Sequence, residues 1–184
     1  MSTEAPVKER IEPGWDMIDG VLWERDMGVE SDYYGQEVAF RIRVATNPGR
    51  DGYVFGPSAG YKYPALADNH LRLPDVSFIR RERLPDGLPR GWSGIPADLI
   101  VEVTSPNDDA GEVQEKVREW IDGGAKRVWV VYPDQHEITV HYPDRTARTY
   151  RLGESVPGEE IIPGFSLALD DLFGSAIQPA ASRQ

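Results

Sequence analysis

The chain has 184 residues, enough for one domain that buries its own core. It contains no cysteine, which excludes disulfides, thiol catalysis and zinc–thiolate sites. Its net charge is −11, from 31 acidic against 20 basic residues, which suits a phosphate-binding protein only if a divalent metal or a local basic patch offsets it.

Residues 1–14 are polar and lack the apolar stretch of a secretory signal, so a cytoplasmic protein is expected. No apolar run approaches the roughly 18 residues a membrane helix needs, so no membrane association is expected. Residues 1–14 and 175–184 read as flexible tails around a single domain, 15–174. Trp15 to Ile18 and Val21 to Glu24 flank Asp19-Gly20, the dipeptide of a type I′ hairpin turn. Ser31 or Asp32 can cap a helix reaching Thr46, with Tyr34, Val38 and Ile42 recurring on one face and Asn47-Pro48-Gly49 ending it. Short strands are expected at Gly52 to Phe55 and Tyr61 to Tyr63, and another from Asp75 to Ile79 after Pro74. Pro85 to Pro96 reads as a long loop. Next to it, Arg80, Arg81, Arg83 and Arg90 form the main basic cluster, which serves either as a solvated loop flank or as a phosphate track.

Asp98 to Thr104 is too apolar for a half-exposed strand and reads as a central one, buried on both faces. Ser105-Pro106-Asn107-Asp108 breaks it, a helix follows from about Asp109 to Asp122, and Gly123-Gly124 closes that helix. Arg127 to Tyr132 is a second buried strand, completing a βαβ unit with a parallel pair. Strands at Glu137 to Tyr142 and near Thr149 to Leu152 follow. The fold class expected is α/β: a mixed sheet flanked by helices, with N-terminal and C-terminal β-hairpins.

Alternation along the central strand puts Glu102 on one face with Ile100 and Thr104, opposite Leu99, Val101 and Val103. An ionised carboxylate buried there is costly unless it is ion-paired, hydrogen-bonded or bound to a metal. Asp75 starts a neighbouring strand, and two such acids on adjacent strand ends can jointly hold Mg²⁺ through hard oxygen ligands. On the second helix, Val113, Val117, Trp120 and Ile121 face inward, and Lys116 sits about 40° to one side of Trp120. Its amine either snorkels to solvent or reaches over the end of the Glu102 strand to stabilise phosphate charge.

Other chemistries fit less well. Gly56-Pro57-Ser58-Ala59-Gly60 matches the letters of a serine-hydrolase nucleophile elbow, but the extended Tyr61-Lys62-Tyr63-Pro64 follows where that motif needs a helix. The three histidines show no metal-ligand spacing, and Gly123-Gly124 follows a helix instead of opening one around a phosphate.

Taken together, Leu73-Pro74-Asp75-Val76-Ser77-Phe78-Ile79 and Pro96-Ala97-Asp98-Leu99-Ile100-Val101-Glu102-Val103-Thr104-Ser105-Pro106 resemble the Uma family of bacterial endonucleases. Ile18-Asp19-Gly20, Glu112-Val113-Gln114-Glu115-Lys116-Val117, Val128-Trp129-Val130-Val131-Tyr132-Pro133 and Ile162-Pro163-Gly164-Phe165 follow the same pattern, so the resemblance covers roughly residues 15–173. It implies a restriction-endonuclease-like PD-(D/E)xK core and Mg²⁺-dependent phosphodiester hydrolysis, with Mn²⁺ as a substitute and DNA the expected nucleic acid. The motif's two acids then fall on Asp75 and Glu102, the expected metal ligands. Its lysine normally stands two residues beyond the second acid, where this chain has Thr104, and Lys116 on the next helix is the expected replacement. Glu30 is the candidate for a further acid from the first helix, with Glu37 a second choice. A homodimer would suit cutting both strands of a duplex. The alternative is a binding or assembly module that keeps the fold without turnover, favoured by the acidic net charge and by Thr104.

Overall fold

The computed structural model describes residues 15–24, 28–62 and 70–177, with side chains to 174; the expected tail 1–14, and residues 178–184 of the expected tail 175–184, lie outside the described residues. Strands β1 (Trp15–Ile18) and β2 (Val21–Glu24) pair antiparallel as expected. Asp19 and Gly20 both adopt positive φ, 51° and 78°, as a type I′ turn requires.

Helix α1 spans Val29–Ala45 and buries Tyr34, Val38 and Ile42. It starts earlier than the polar side chains suggested, with Gly28 at the N-cap and Ser31 inside the first turn. The Ser31 hydroxyl closes the end from within, accepting from the Gly28 N–H at 3.2 Å and donating to its carbonyl at 2.9 Å.

The main sheet contains β3 (Gly52–Phe55), β4 (Val76–Arg80), β5 (Leu99–Val103), β6 (Arg127–Tyr132), β7 (Glu137–His141) and β8 (Ala147–Tyr150), adjacent in that order. Only β5 and β6 pair in parallel, joined by α2 (Ala110–Asp122). The other neighbours are antiparallel, so the sheet is mixed. Asp109 caps α2, its carboxylate accepting from the Gly111 and Glu112 N–H groups, and the chain leaves through Gly124 at φ 105°. Tyr61 forms only isolated bridges, to Arg72 and Ser93, where a strand was expected, and Tyr63 lies outside the described residues. The segment 56–60 is a turn, with Ala59 N–H on the Gly56 carbonyl at 3.1 Å, and the described residues 61–62 after it are not helical.

Every residue of β5 is buried, and the strand divides two apolar clusters. Leu99, Val101 and Val103 pack with α1 side chains on one face. Ile100 faces Val113, Val117 and Trp120 of α2 on the other. The first cluster extends into β9 (Ser155–Pro157), β10 (Ser166–Ala168) and helix α3 (Leu169–Ile177), none of them legible in the sequence. Strands of three residues carry too little alternation to register. Helix α3 continues past the expected 174 boundary, and the burial of Leu169, Leu172 and Phe173 fixes it despite Gly174 and Ser175. Residues 162–165 turn the chain between β9 and β10, so that the Phe165 ring stacks on Trp129 at 6.3 Å between centroids.

Candidate active site

The C-terminal end of β5 and the N-terminal ends of α1 and α2 enclose a cavity of about 300 Å³. Because β4 runs antiparallel to β5, the start of β4 lies beside the end of β5, and that topology brings Asp75 next to Glu102. Asp75 Oδ2 accepts from the Val103 N–H at 2.7 Å, across the gap between the strands. Glu102 is 6 % exposed, and its Oε1 accepts from the Trp120 indole N–H at 2.7 Å. These two bonds fix the direction of each carboxylate toward the cavity that both line. Trp120 is itself held by packing, with Tyr61 edge-on at 5.7 Å between centroids. Burial pushes the Tyr61 phenol up to about 12, so it stays protonated and donates to Ser77 Oγ at 2.7 Å.

Lys116 lines the same cavity from the second turn of α2, so its position beside the buried stripe turns it toward the acids. Asp32, from the first turn of α1, is a third acid on the wall. Asp108 lies at the α2 side, its carboxylate accepting from the Ser105 N–H at 2.8 Å. Helix α1 passes close by: a methyl group at Gly35 would lie 3.7 Å from the Asp75 Cβ. Ser105 Oγ bonds Ser31 Oγ at 3.3 Å and ties the α1 start to the end of β5.

Thus Asp75, Glu102 and Lys116 converge as expected, but the candidates on α1 do not join them. Glu30 lines an adjoining cavity of about 250 Å³ with Thr104 and Tyr132. Glu37 is ion-paired with Arg41 one turn on. Residues 30 and 32 differ by about 200° around a helix, so a wall built with Asp32 turns Glu30 aside. Counted from Tyr34, Glu30 lies about 40° around the helix and Asp32 about 160°, so the buried stripe gave no signal for Asp32. Where the cavity sits relative to α1 is decided by tertiary packing.

The basic cluster is mostly structural. Arg80 bonds the Glu160 and Ile161 carbonyls, Arg81 the Leu84 carbonyl at 2.5 Å, and Arg83 pairs with Asp98 at 3.1 Å. A second network is also self-contained: buried Arg72 bonds Asp16 at 3.0 Å and Glu119 at 2.6 Å, pinning β1 to α2. Burial alone would lower the Arg72 pKa, but its bonds to Glu119 and the charge of Asp16 more than reverse this.

Two acids at the central strand β5 and a lysine from α2 thus line one cavity of a mixed sheet. The fold agrees with a crystal structure described as "a putative nuclease belonging to DUF820" from Anabaena variabilis ATCC 29413, with a TM-score of 0.76 at 20 % identity over 89 % of this chain and 92 % of that one. A family model described as "Uma2: Putative restriction endonuclease" matches residues 5–170, and the chain belongs to this family. A search of curated proteins finds no match. Among the described residues no helix is long and apolar enough to cross a membrane.

Proposed function

We propose that this chain is a divalent-metal-dependent endonuclease that hydrolyses DNA phosphodiester bonds in the cavity bounded by Asp75, Glu102 and Lys116. The observation that carries this reading is the placement of two directed carboxylates and one amine in a single cavity at a strand end. The donor set suits Mg²⁺ or Mn²⁺: the lining residues offer hard carboxylate oxygens and neither imidazole nor thiolate. Among the described residues, no group of three or more His, Asp or Glu side chains could hold an ion. Mg²⁺ typically takes one or two protein carboxylates and completes its shell with water and substrate phosphate. Asp75 and Glu102 would hold the ion, with Asp32 within the same wall. Bound there, it supplies charge neutralisation at the phosphate and acidification of water.

The chain's own groups do the rest. The Val103 N–H and the Trp120 indole hold the carboxylates in orientation, so little rearrangement is needed when substrate arrives. The Lys116 ammonium would donate to a non-bridging phosphate oxygen and stabilise charge as the P–O bond breaks. The first turn of α1 lines the cavity through Val29, Ser31 and Asp32, and the partial positive charge of that helix end favours the anionic phosphate. Cutting both strands of a duplex would draw on a second copy of the chain as a homodimer.

Titration calorimetry with Mn²⁺, on wild type and Glu102→Gln, tests the reading before any nucleic acid is chosen. Wild type should bind, and the variant should keep its fold by circular dichroism while losing that binding. On plasmid DNA with Mg²⁺, the variant should cut at least about 10³-fold more slowly, as removal of several kcal/mol of transition-state stabilisation requires. A folded variant that cuts at the wild-type rate refutes the assignment. An intact acid pair with neither metal affinity nor cleavage points instead to a binding module.

A further inference from the structure

Apart from the acid cavity, a groove of about 1000 Å³ lies on the other side of the turn at 56–60. Pro57 lines the acid cavity and the adjacent Ser58 lines the groove, so one turn separates the two. The groove floor is apolar, formed by Met17, Leu71 and Ile79, and Trp92 stands on its wall with 44 % of its surface exposed. Trp92 is seated firmly. A Cβ at Gly60 would fall 2.5 Å from Trp92 Cε3, so the indole lies directly on the Gly60 backbone. The Ser93 N–H bonds the Gly60 carbonyl at 2.8 Å and the Lys62 N–H bonds the Ser93 carbonyl at 2.9 Å, locking the two segments together. Lys62 and Arg90 are exposed at the rim, and no acid lines the groove among the described residues. In a chain of net charge −11, a groove whose described lining carries an indole and two positive charges is a marked local reversal.

We infer that this groove binds an unpaired stretch of the polynucleotide, with a base stacked on Trp92 and phosphates at Lys62 and Arg90. This inference rests on the nuclease reading, and it narrows the substrate to strands that are single, frayed or locally opened. A duplex shows its base edges and phosphates, whereas an apolar groove with a fixed indole rewards the flat face of a base, which only an unpaired nucleotide presents. The 56–60 turn between groove and cavity would let a strand seated on Trp92 continue toward Asp75 and Glu102.

The test is fluorescence anisotropy with a labelled 15-mer oligothymidylate in EDTA, where neither metal binding nor cleavage contributes. Wild type should bind it, and should bind a duplex of the same length more weakly. Trp92→Ala should weaken binding about 5- to 150-fold, the range expected for losing one stacked base, and Trp92→Phe should restore most of it. Arg90→Gln, an exposed change that leaves the core alone, should reduce the slope of log K against log salt by about 0.7. No affinity for the oligomer in wild type, or equal affinity in Trp92→Ala, overturns the inference. Failure of the nuclease reading would appear separately: Glu102→Gln would keep both its Mn²⁺ binding and its cutting rate, whatever the oligomer does.

Discussion

Strand β5 carries a buried acid at each end, and the two are treated in opposite ways. Asp98, just before the strand, is 2 % exposed, pairs with Arg83 at 3.1 Å and accepts from the Arg80 N–H at 2.9 Å. Glu102, at the far end, is 6 % exposed, accepts from the neutral Trp120 indole and borders a cavity shared with Asp75, Asp32 and Lys116. Both burials cost desolvation energy. At Asp98 a guanidinium and a backbone amide offset that cost within the fold itself. At Glu102 the indole N–H orients the carboxylate beside a cavity that Asp75, Asp32 and Lys116 also border. Burial of an acid therefore does not by itself indicate function; the shape and company of the space it faces do.

The sharpest way to break this comparison is to change the cavity's one ammonium. Lys116→Ala should slow cleavage about 10²- to 10³-fold, the range for losing one preorganised donor, with Mn²⁺ affinity within twofold on calorimetry. Equal losses of both would make Lys116 a structural partner of the acids instead. Trp120→Phe keeps the ring but removes the indole N–H from Glu102. Metal affinity should fall about 10- to 100-fold, as for other residues that orient a ligand.

The other end of β5 should respond in stability alone. Asp98→Asn leaves Arg83 without its counter-charge, and because Arg83 is 26 % exposed the cost should be about 1–3 kcal/mol in urea unfolding, below that of a fully buried pair. Metal binding by the folded protein should not change, and a loss of it would erase the distinction between the two ends. The smallest effect is expected at Glu37→Gln, which removes a partly exposed pair with Arg41 on the helix surface. Stability should shift by no more than about 0.5 kcal/mol and cleavage should stay at the wild-type rate.

Much of this was legible in the chain because it rests on local patterning. An all-apolar run interrupted by one acid identified β5 as central and Glu102 as an expensive burial, and the helical stripe through Val113, Val117 and Trp120 set Lys116 at its edge. The Asp-Gly turn fixed β1 and β2 through backbone sterics alone. The pairing of Asp75 with Glu102 followed from reading two acids at neighbouring strand ends, and the family resemblance reinforced it; in the structure Asp75 stands just before β4.

Tertiary structure decided what depends on where elements meet. Which acid of α1 faces the cavity follows from how α1 is rotated against β5, and that rotation favours Asp32 over Glu30. The arginine cluster reads as one basic patch in sequence, yet packing ties Arg80, Arg81 and Arg83 to carbonyls and Asp98, while Arg90 reaches the groove beside Trp92. Helix α3, with its Gly and Ser, is fixed by the burial of Leu169, Leu172 and Phe173 in the core. The physical reason is the range of the forces involved. Turn sterics and hydrophobic periodicity act within a few residues and are written in the chain, whereas charge pairing, cavity shape and the burial of short elements depend on neighbours far away in sequence.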